Sequence, residues 1–191
     1  MLKYVGVAIL MRMDFRDLTL LNISNDWDIE GFKALKPMRP FSDEVVAYLN
    51  SLSKELNKNV QIKSFSDVAT FSFYCRKSNI LQLKKKYHED NLIKLGRGIV
   101  FHIAPSNVAV NFAYSLIVGL LAGNANIVRV PSKYFEQVNI IVSAIKSLSI
   151  SDEHKSVSSR IMLVSYDHSS NITEKFSSIC DVRIIWGGDE T

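Results

Sequence analysis

The chain has 191 residues, 47% apolar and 22% charged, which excludes a disordered polymer and predicts a packed core in one domain, or one domain with a lead-in. Its net charge of +4 and pI near 9.0 suit an anionic ligand such as a nucleotide or coenzyme A, and are too small to argue for nucleic acid. Two cysteines, Cys75 and Cys180, provide neither a disulfide framework nor a metal spacing, which points to a reducing cytoplasm.

Taken in order, the N-terminal run VGVAILMRM lacks the charged lead and small-residue cleavage site of a signal peptide. Residues 4–23 alternate loosely and stay open between one or two strands and an irregular lead-in. KPMRPFS (36–42) carries two prolines and reads as a linker. Ser42 is a candidate N-cap, Asp43 and Glu44 suit a first turn, and Val45, Leu49, Leu52 and Leu56 form a stripe, so a helix is expected over 42–57. Ser66 and Asp67 open a second helix, whose end carries Lys84, Lys85 and Lys86. There a solvated basic helix end is the plainer interpretation and an anion-docking patch the sharper one.

From Gly96 the pattern changes. Ile99–Ala104 is a short apolar run suited to a strand buried on both faces. Helix 108–121, strand 127–130, a helix over 135–148, a polar loop 149–159, strand 160–165, a short helix 169–178 and strand 182–186 follow. The apolar run from Val108 to Ala122 is interrupted by Asn111 and Ser115 and is shorter than the roughly 20 residues of a membrane helix. It is therefore read as a buried helix, with no membrane span expected. This alternation predicts an α/β fold with a doubly wound parallel sheet over 95–191, preceded by a mostly helical lead-in over 1–94. Right-handed crossovers place the loops after the strands along one edge, where ligands bind.

Several residues near that edge are candidates for chemistry. Gly96-Arg97-Gly98 precedes its strand and lacks a third glycine, so it reads as a turn and not as a dinucleotide fingerprint. Pro105-Ser106-Asn107 sits between strand and helix, where Asn107 is either an N-cap or a donor to a developing oxyanion. After the next strand, Ser132 is a candidate cap and Lys133 places a cation near a helix start, against the dipole preference. A bound phosphate would explain that position, and so would simple exposure. Gly187 and Gly188 after the last strand permit close backbone approach by a ligand, or an ordinary turn. His88, His102, His154 and His168 match no zinc spacing, and His102 reads as a satisfied core histidine.

The segment GIVFHIAPSNVAVNFAYSLIVGLLAGNANIVRVPSKYFEQ, with the later RIIWGGDET, resembles the acyl-CoA reductase family of the LuxC type, in the aldehyde dehydrogenase superfamily. The likeness is close over about 95–140 and 180–191; the first 90 residues are less distinctive. It implies that Asn107 is the side-chain oxyanion donor and that Ile103, Pro105, Ser106, Ser132, Lys133, Gly187 and Gly188 line the cofactor. Ser106 stands where the superfamily has tryptophan, which removes one cofactor wall. Lys133 stands where it has a ribose-binding glutamate, which favours the 2′-phosphate of NADPH.

The implied reaction reduces a long-chain acyl-CoA or other acyl thioester to the aldehyde through a cysteine acyl-enzyme. The implied partners are proteins that activate and transfer acyl groups, with no nucleic acid. The full-length protein is expected to be a homo-oligomer. In the superfamily the nucleophilic cysteine and the general base lie beyond the glycine pair. Cys75 and Cys180 do not match, so the sheet is expected to be incomplete at the C-terminus and the chain inactive alone. Two alternatives stand beside this: a relative acting on free aldehydes or acyl phosphates, and a non-catalytic remnant that binds a nucleotide or a partner through an exposed sheet edge.

Overall fold

The structure, a computed structural model, describes residues 18–22, 28–87, 92–167 and 170–187. Four strands run parallel: β2 (Ile99–Ile103), β3 (Ala125–Arg129), β4 (Ile161–Ser165) and β5 (Val182–Ile185). A two-residue strand, β1 (Thr19–Leu20), pairs antiparallel with β4, and the sheet order is β1-β4-β3-β2-β5. The first four residues of β2, β3 and β4 are all buried, which is why these strands read as continuous apolar runs instead of alternating ones.

Helices cover both faces. They are α1 (Ile29–Lys33), α2 (Asp43–Lys58), α3 (Ser66–Tyr74), α4 (Lys77–Tyr87), α5 (Asn111–Leu121), α6 (Glu136–Ser149), α7 (Lys155–Ser158) and α8 (Ile172–Ile179). One core joins Val128, Ile161 and Leu163 of the sheet to α5 and α6, and then to Leu49, Leu52 and Leu56 of α2 and Phe71 of α3. The other core joins Ile99, Phe101, Ile127, Met162 and Val164 to Phe32 of α1 and Phe176 of α8. The chain runs β2–α5–β3–α6–β4 outward along one face, then returns through α8 on the other to set β5 beside β2. The expected doubly wound α/β sheet is present, with β1 added antiparallel.

Several elements differ from the sequence expectation. The second helix is two, α3 and α4, because the chain turns at Cys75 and Arg76. No glycine or proline marks this turn. The side chain of Asn50 on α2 accepts from the Lys77 amide (3.2 Å) and so caps α4 from outside. The polar segment 149–159 contains a 3₁₀ turn, Asp152–His154, and α7, because Val157 is buried and His154 packs edge-on against Tyr48 with ring centroids 5.6 Å apart. The segment 36–42 is tied down and is not a free linker. Met38 N–H donates to the Gly123 carbonyl (2.8 Å), the Met38 carbonyl accepts from Gly96 N–H (2.9 Å), and Phe41 N–H donates to the Leu121 carbonyl (2.8 Å). Ser42 does cap α2, accepting from Val45 N–H at 3.4 Å. Of residues 4–23, positions 4–17 and 23 lie outside the described residues.

Candidate functional site

In an open α/β sheet the ligand crevice lies at the carboxyl ends of the strands where the strand order reverses. Here the order reverses between β2 and β5, since β3 and β4 lie on one side of β2 and β5 on the other. Ile103 at the end of β2 is in register with Arg129 of β3 and Ile185 of β5. Trp186 N–H donates to the Ile103 carbonyl (3.0 Å), which holds the last turn of chain after β5 against β2. The loops 104–110, 130–135 and 186–187 therefore leave the sheet side by side, although 50 residues separate the second from the third.

The sequence candidates fall along this edge. Ile103 ends β2 and is half-buried, as is Pro105; Ser106 and Asn107 form an exposed turn. Asn107 does not cap α5. That helix begins at Asn111, its N-cap position is Val110, and no side chain caps it; the Ala113 N–H turns back to the Val110 carbonyl (3.1 Å). Ser132 and Lys133 lie on an exposed bend, and Ser132 is not the cap of α6, whose N-cap position is Phe135 with no side-chain bond. The Lys133 ammonium lies 5.5 Å from the centroid of the Phe135 ring. Gly187 is exposed after β5, and Gly188 lies outside the described residues. A surface hollow of about 490 Å³ between α2 and α4, lined by Lys54, Lys58, Arg76 and Lys77 among others, contains none of these residues.

The Gly96–Gly98 segment is a turn at the opposite edge. Arg97 and Gly98 N–H groups donate to Asn124 Oδ1 (2.6 and 3.4 Å). Gly98 has φ +124°, and a Cβ there would collide with the Asp181 carboxylate.

Behind the candidate edge lies a buried polar chain. His102 is fully buried; its Nδ1 lies 2.7 Å from Ser115 Oγ, and its Nε2 lies 3.0 Å from Asn126 Oδ1. Asn126 Nδ2 donates to the Asn124 carbonyl (2.9 Å), and Trp186 Nε1 donates to Ser115 Oγ (3.0 Å). Burial pushes the His102 pKa down to about 4, partly opposed by the Asn126 bond, so the imidazole is neutral at pH 7. His102 is thus a satisfied core histidine, and it also connects to the edge through Ser115. Ser115 and Asn126 carried one signal in the sequence: each is a polar residue inside an otherwise apolar run. Arg129 was likewise legible as a charge ending an apolar strand. Its guanidinium stacks over Tyr166 at 4.6 Å.

Neither cysteine stands at this edge. Cys75 is fully buried in the helical layer, where burial pushes its thiol well up from the ordinary value. Cys180 precedes β5, at the amino edge of the sheet, and burial also raises its thiol.

The edge therefore combines a topological switch point, an exposed amide, a helix start without a side-chain cap and a cation. The family model for acyl-CoA reductase (LuxC) matches residues 22–191. The chain belongs to the LuxC acyl-CoA reductase family. The match includes α1 to α4, so the helical lead-in is part of the LuxC pattern although its sequence is the less distinctive half. No curated protein and no solved structure gives a significant match. LuxC membership makes the chain part of an oxidoreductase family whose substrate is an acyl group. Among the described residues, no helix is long and apolar enough to cross a membrane.

Proposed function

We propose that this chain binds NADPH along the carboxyl edge of β3, β2 and β5, and that it serves the reduction of a long-chain acyl thioester to an aldehyde. The observation that carries the reading is the convergence at one switch point of the 104–107 loop, the Lys133 bend and the Trp186-Gly187 turn. The residues present fit a dinucleotide. The start of α5, which no side chain caps, brings the positive end of the helix dipole to this edge, where it favours an anion. Lys133 offers a cation suited to a 2′-phosphate. Trp186, half exposed, offers an aromatic face.

When bound, the dinucleotide supplies hydride. The chain's own residues bind and orient. Asn107 is exposed on its turn and donates its amide N–H groups to the oxygen of the acyl carbon as negative charge develops there. Lys133 neutralises the phosphate on the adenine ribose. Neither Cys75 nor Cys180 is placed to form an acyl-enzyme at this edge. The first is sealed in the core and the second sits at the opposite edge of the sheet, and both thiols are held in the poorly nucleophilic protonated form. A homo-oligomeric assembly, a cytoplasmic setting and acyl-transferring partners belong to the same proposal.

Isothermal titration calorimetry of the chain with NADPH and NADH tests it. NADPH is expected to bind about tenfold or more tighter, in line with about 1.4 kcal/mol or more for a charge-assisted phosphate contact. Lys133→Glu is expected to abolish the difference. Failure of the wild-type chain to bind either nucleotide would remove the reading in favour of a non-catalytic partner-binding role.

A further inference from the structure

The buried chain behind the candidate edge has a single direction, fixed by which atoms can donate. The Asn124 carbonyl can only accept, so the Asn126 amide nitrogen faces it and Asn126 Oδ1 faces His102. Nε2 of the neutral imidazole then carries the proton, and Nδ1 accepts. The proton for Nδ1 comes from the Ser115 hydroxyl, whose oxygen is then left to accept the indole N–H of Trp186 at 3.0 Å. Donation runs Trp186 to Ser115 to His102 to Asn126 to the Asn124 carbonyl. Four of these residues are buried, and the chain ends at one half-exposed group, the indole at the switch point.

The indole also lies on a definite side. Val182 and Ile184 of β5 are in register with Val100 and His102 of β2, and Trp186, two residues further on, reaches Ser115 of α5 as His102 does. Trp186 bridges the end of β5 to the second turn of α5 and is 45% exposed, so part of its ring surface remains open at the end of the strand. A tryptophan tied through its only polar atom to a buried serine has little rotational freedom, so stacking on it costs little further ordering.

We propose that Trp186 is the aromatic platform for the nicotinamide half of the bound dinucleotide, and that Ser115 and His102 are positioning residues that fix the orientation of its indole. The assignment rests on the NADPH reading above. If Lys133, after β3, holds the 2′-phosphate of the adenine half, the other half extends across β2 toward β5, about two strand spacings or roughly 10 Å away, where Trp186 stands.

The test separates the two halves of the cofactor. Calorimetry is run with NADPH and with 2′,5′-ADP, which keeps the phosphorylated adenine half and lacks nicotinamide. Trp186→Ala is expected to weaken NADPH about tenfold and to leave 2′,5′-ADP within about twofold; Trp186→Phe is expected to fall between wild type and alanine. The sequence has one other tryptophan, Trp27. In a Trp27→Phe background NADP⁺ is expected to quench the indole emission and 2′,5′-ADP to leave it unchanged. Ser115→Ala is expected to shorten the rotational correlation time of Trp186 in fluorescence anisotropy decay, with far-ultraviolet circular dichroism unchanged. If Ser115→Ala unfolds the chain, Trp186→Phe and the quenching experiment still decide the platform. Unchanged NADPH affinity in Trp186→Ala, with Lys133→Glu still abolishing the nucleotide preference, would overturn this inference and leave the cofactor reading standing. Equal losses for NADPH and 2′,5′-ADP in Trp186→Ala would reduce Trp186 to a structural residue and overturn it as well. Binding of neither probe by the wild-type chain would overturn both.

Discussion

Asn107 stands on an exposed turn four residues before α5, whereas an N-cap must sit directly against the first helical residue. Loss of a cap costs about 1 kcal/mol, while an exposed side chain without such a role costs within about 0.5 kcal/mol. Asn107→Ala is therefore expected to leave the urea unfolding free energy within about 0.5 kcal/mol of wild type. A loss of about 1 kcal/mol or more would return Asn107 to a capping role.

His102 behaves oppositely, since burial holds it neutral with a pKa near 4. Above pH 6.5 it is neutral in both folded and unfolded chains and adds no pH dependence. Between about 6.5 and 4 the unfolded chain takes up a proton that the folded chain refuses. Stability therefore falls as pH falls, by about 1.4 kcal/mol per pH unit and about 3 kcal/mol across the window. Urea midpoints between pH 7 and pH 4.5 should show that decline, and His102→Gln should flatten it. An equal slope in the variant would mean that other groups set the acid limit.

At the scale of the element, α5 can lie close to β2 and β3 because Gly119 has no side chain. A Cβ there would collide with Asn126 Oδ1 and meet His102 Nε2 at 3.0 Å. Alanine improves helix propensity by about 1 kcal/mol. Overpacking a core costs about 1–3 kcal/mol. Both neighbours of Gly119 are locked in hydrogen bonds, so the collision is expected to win. Gly119→Ala should lower stability by about 1–2 kcal/mol net in urea denaturation; a stabilised variant would show that the polar chain yields at little cost. The division between α3 and α4 belongs to the same scale. Apolar spacing is similar on either side of Cys75, and what stops the first helix is the packing of Phe71, Cys75 and Ile80 in one core with α2.

At the scale of the whole molecule, one apolar core runs from the sheet through α5 and α6 to α2, α3 and α4. The lead-in helices thus share their interior with the sheet that presents the candidate edge. The same arrangement decides where the cysteines lie: one inside that core, one at the amino edge of the sheet, and neither beside Asn107. The purified 191-residue chain, given NADPH and a long-chain acyl-CoA, is expected to release no aldehyde above the enzyme-free rate. Aldehyde formation under those conditions would show that one of these two thiols reaches the site after all.

The strand–helix alternation, the capped start of α2 and the family resemblance were all legible in the sequence. Each rests on interactions between residues close in the chain, or on a motif written in one contiguous stretch. Tertiary structure alone decided the break between α3 and α4, the anchoring of 36–42 on Gly123 and Leu121, and the late start of α5. The first two depend on partners tens of residues away, and no side-chain cap marks the third. The link from Trp186 through Ser115 to His102 is of the same kind. Trp186 and Ser115 are 71 residues apart and adjacent only because β5 returns beside β2, whereas Ser115 meets His102 because α5 packs back on β2. Local spacing fixes which elements form, whereas the order of strands fixes which of their ends meet, and the candidate site is made of those ends.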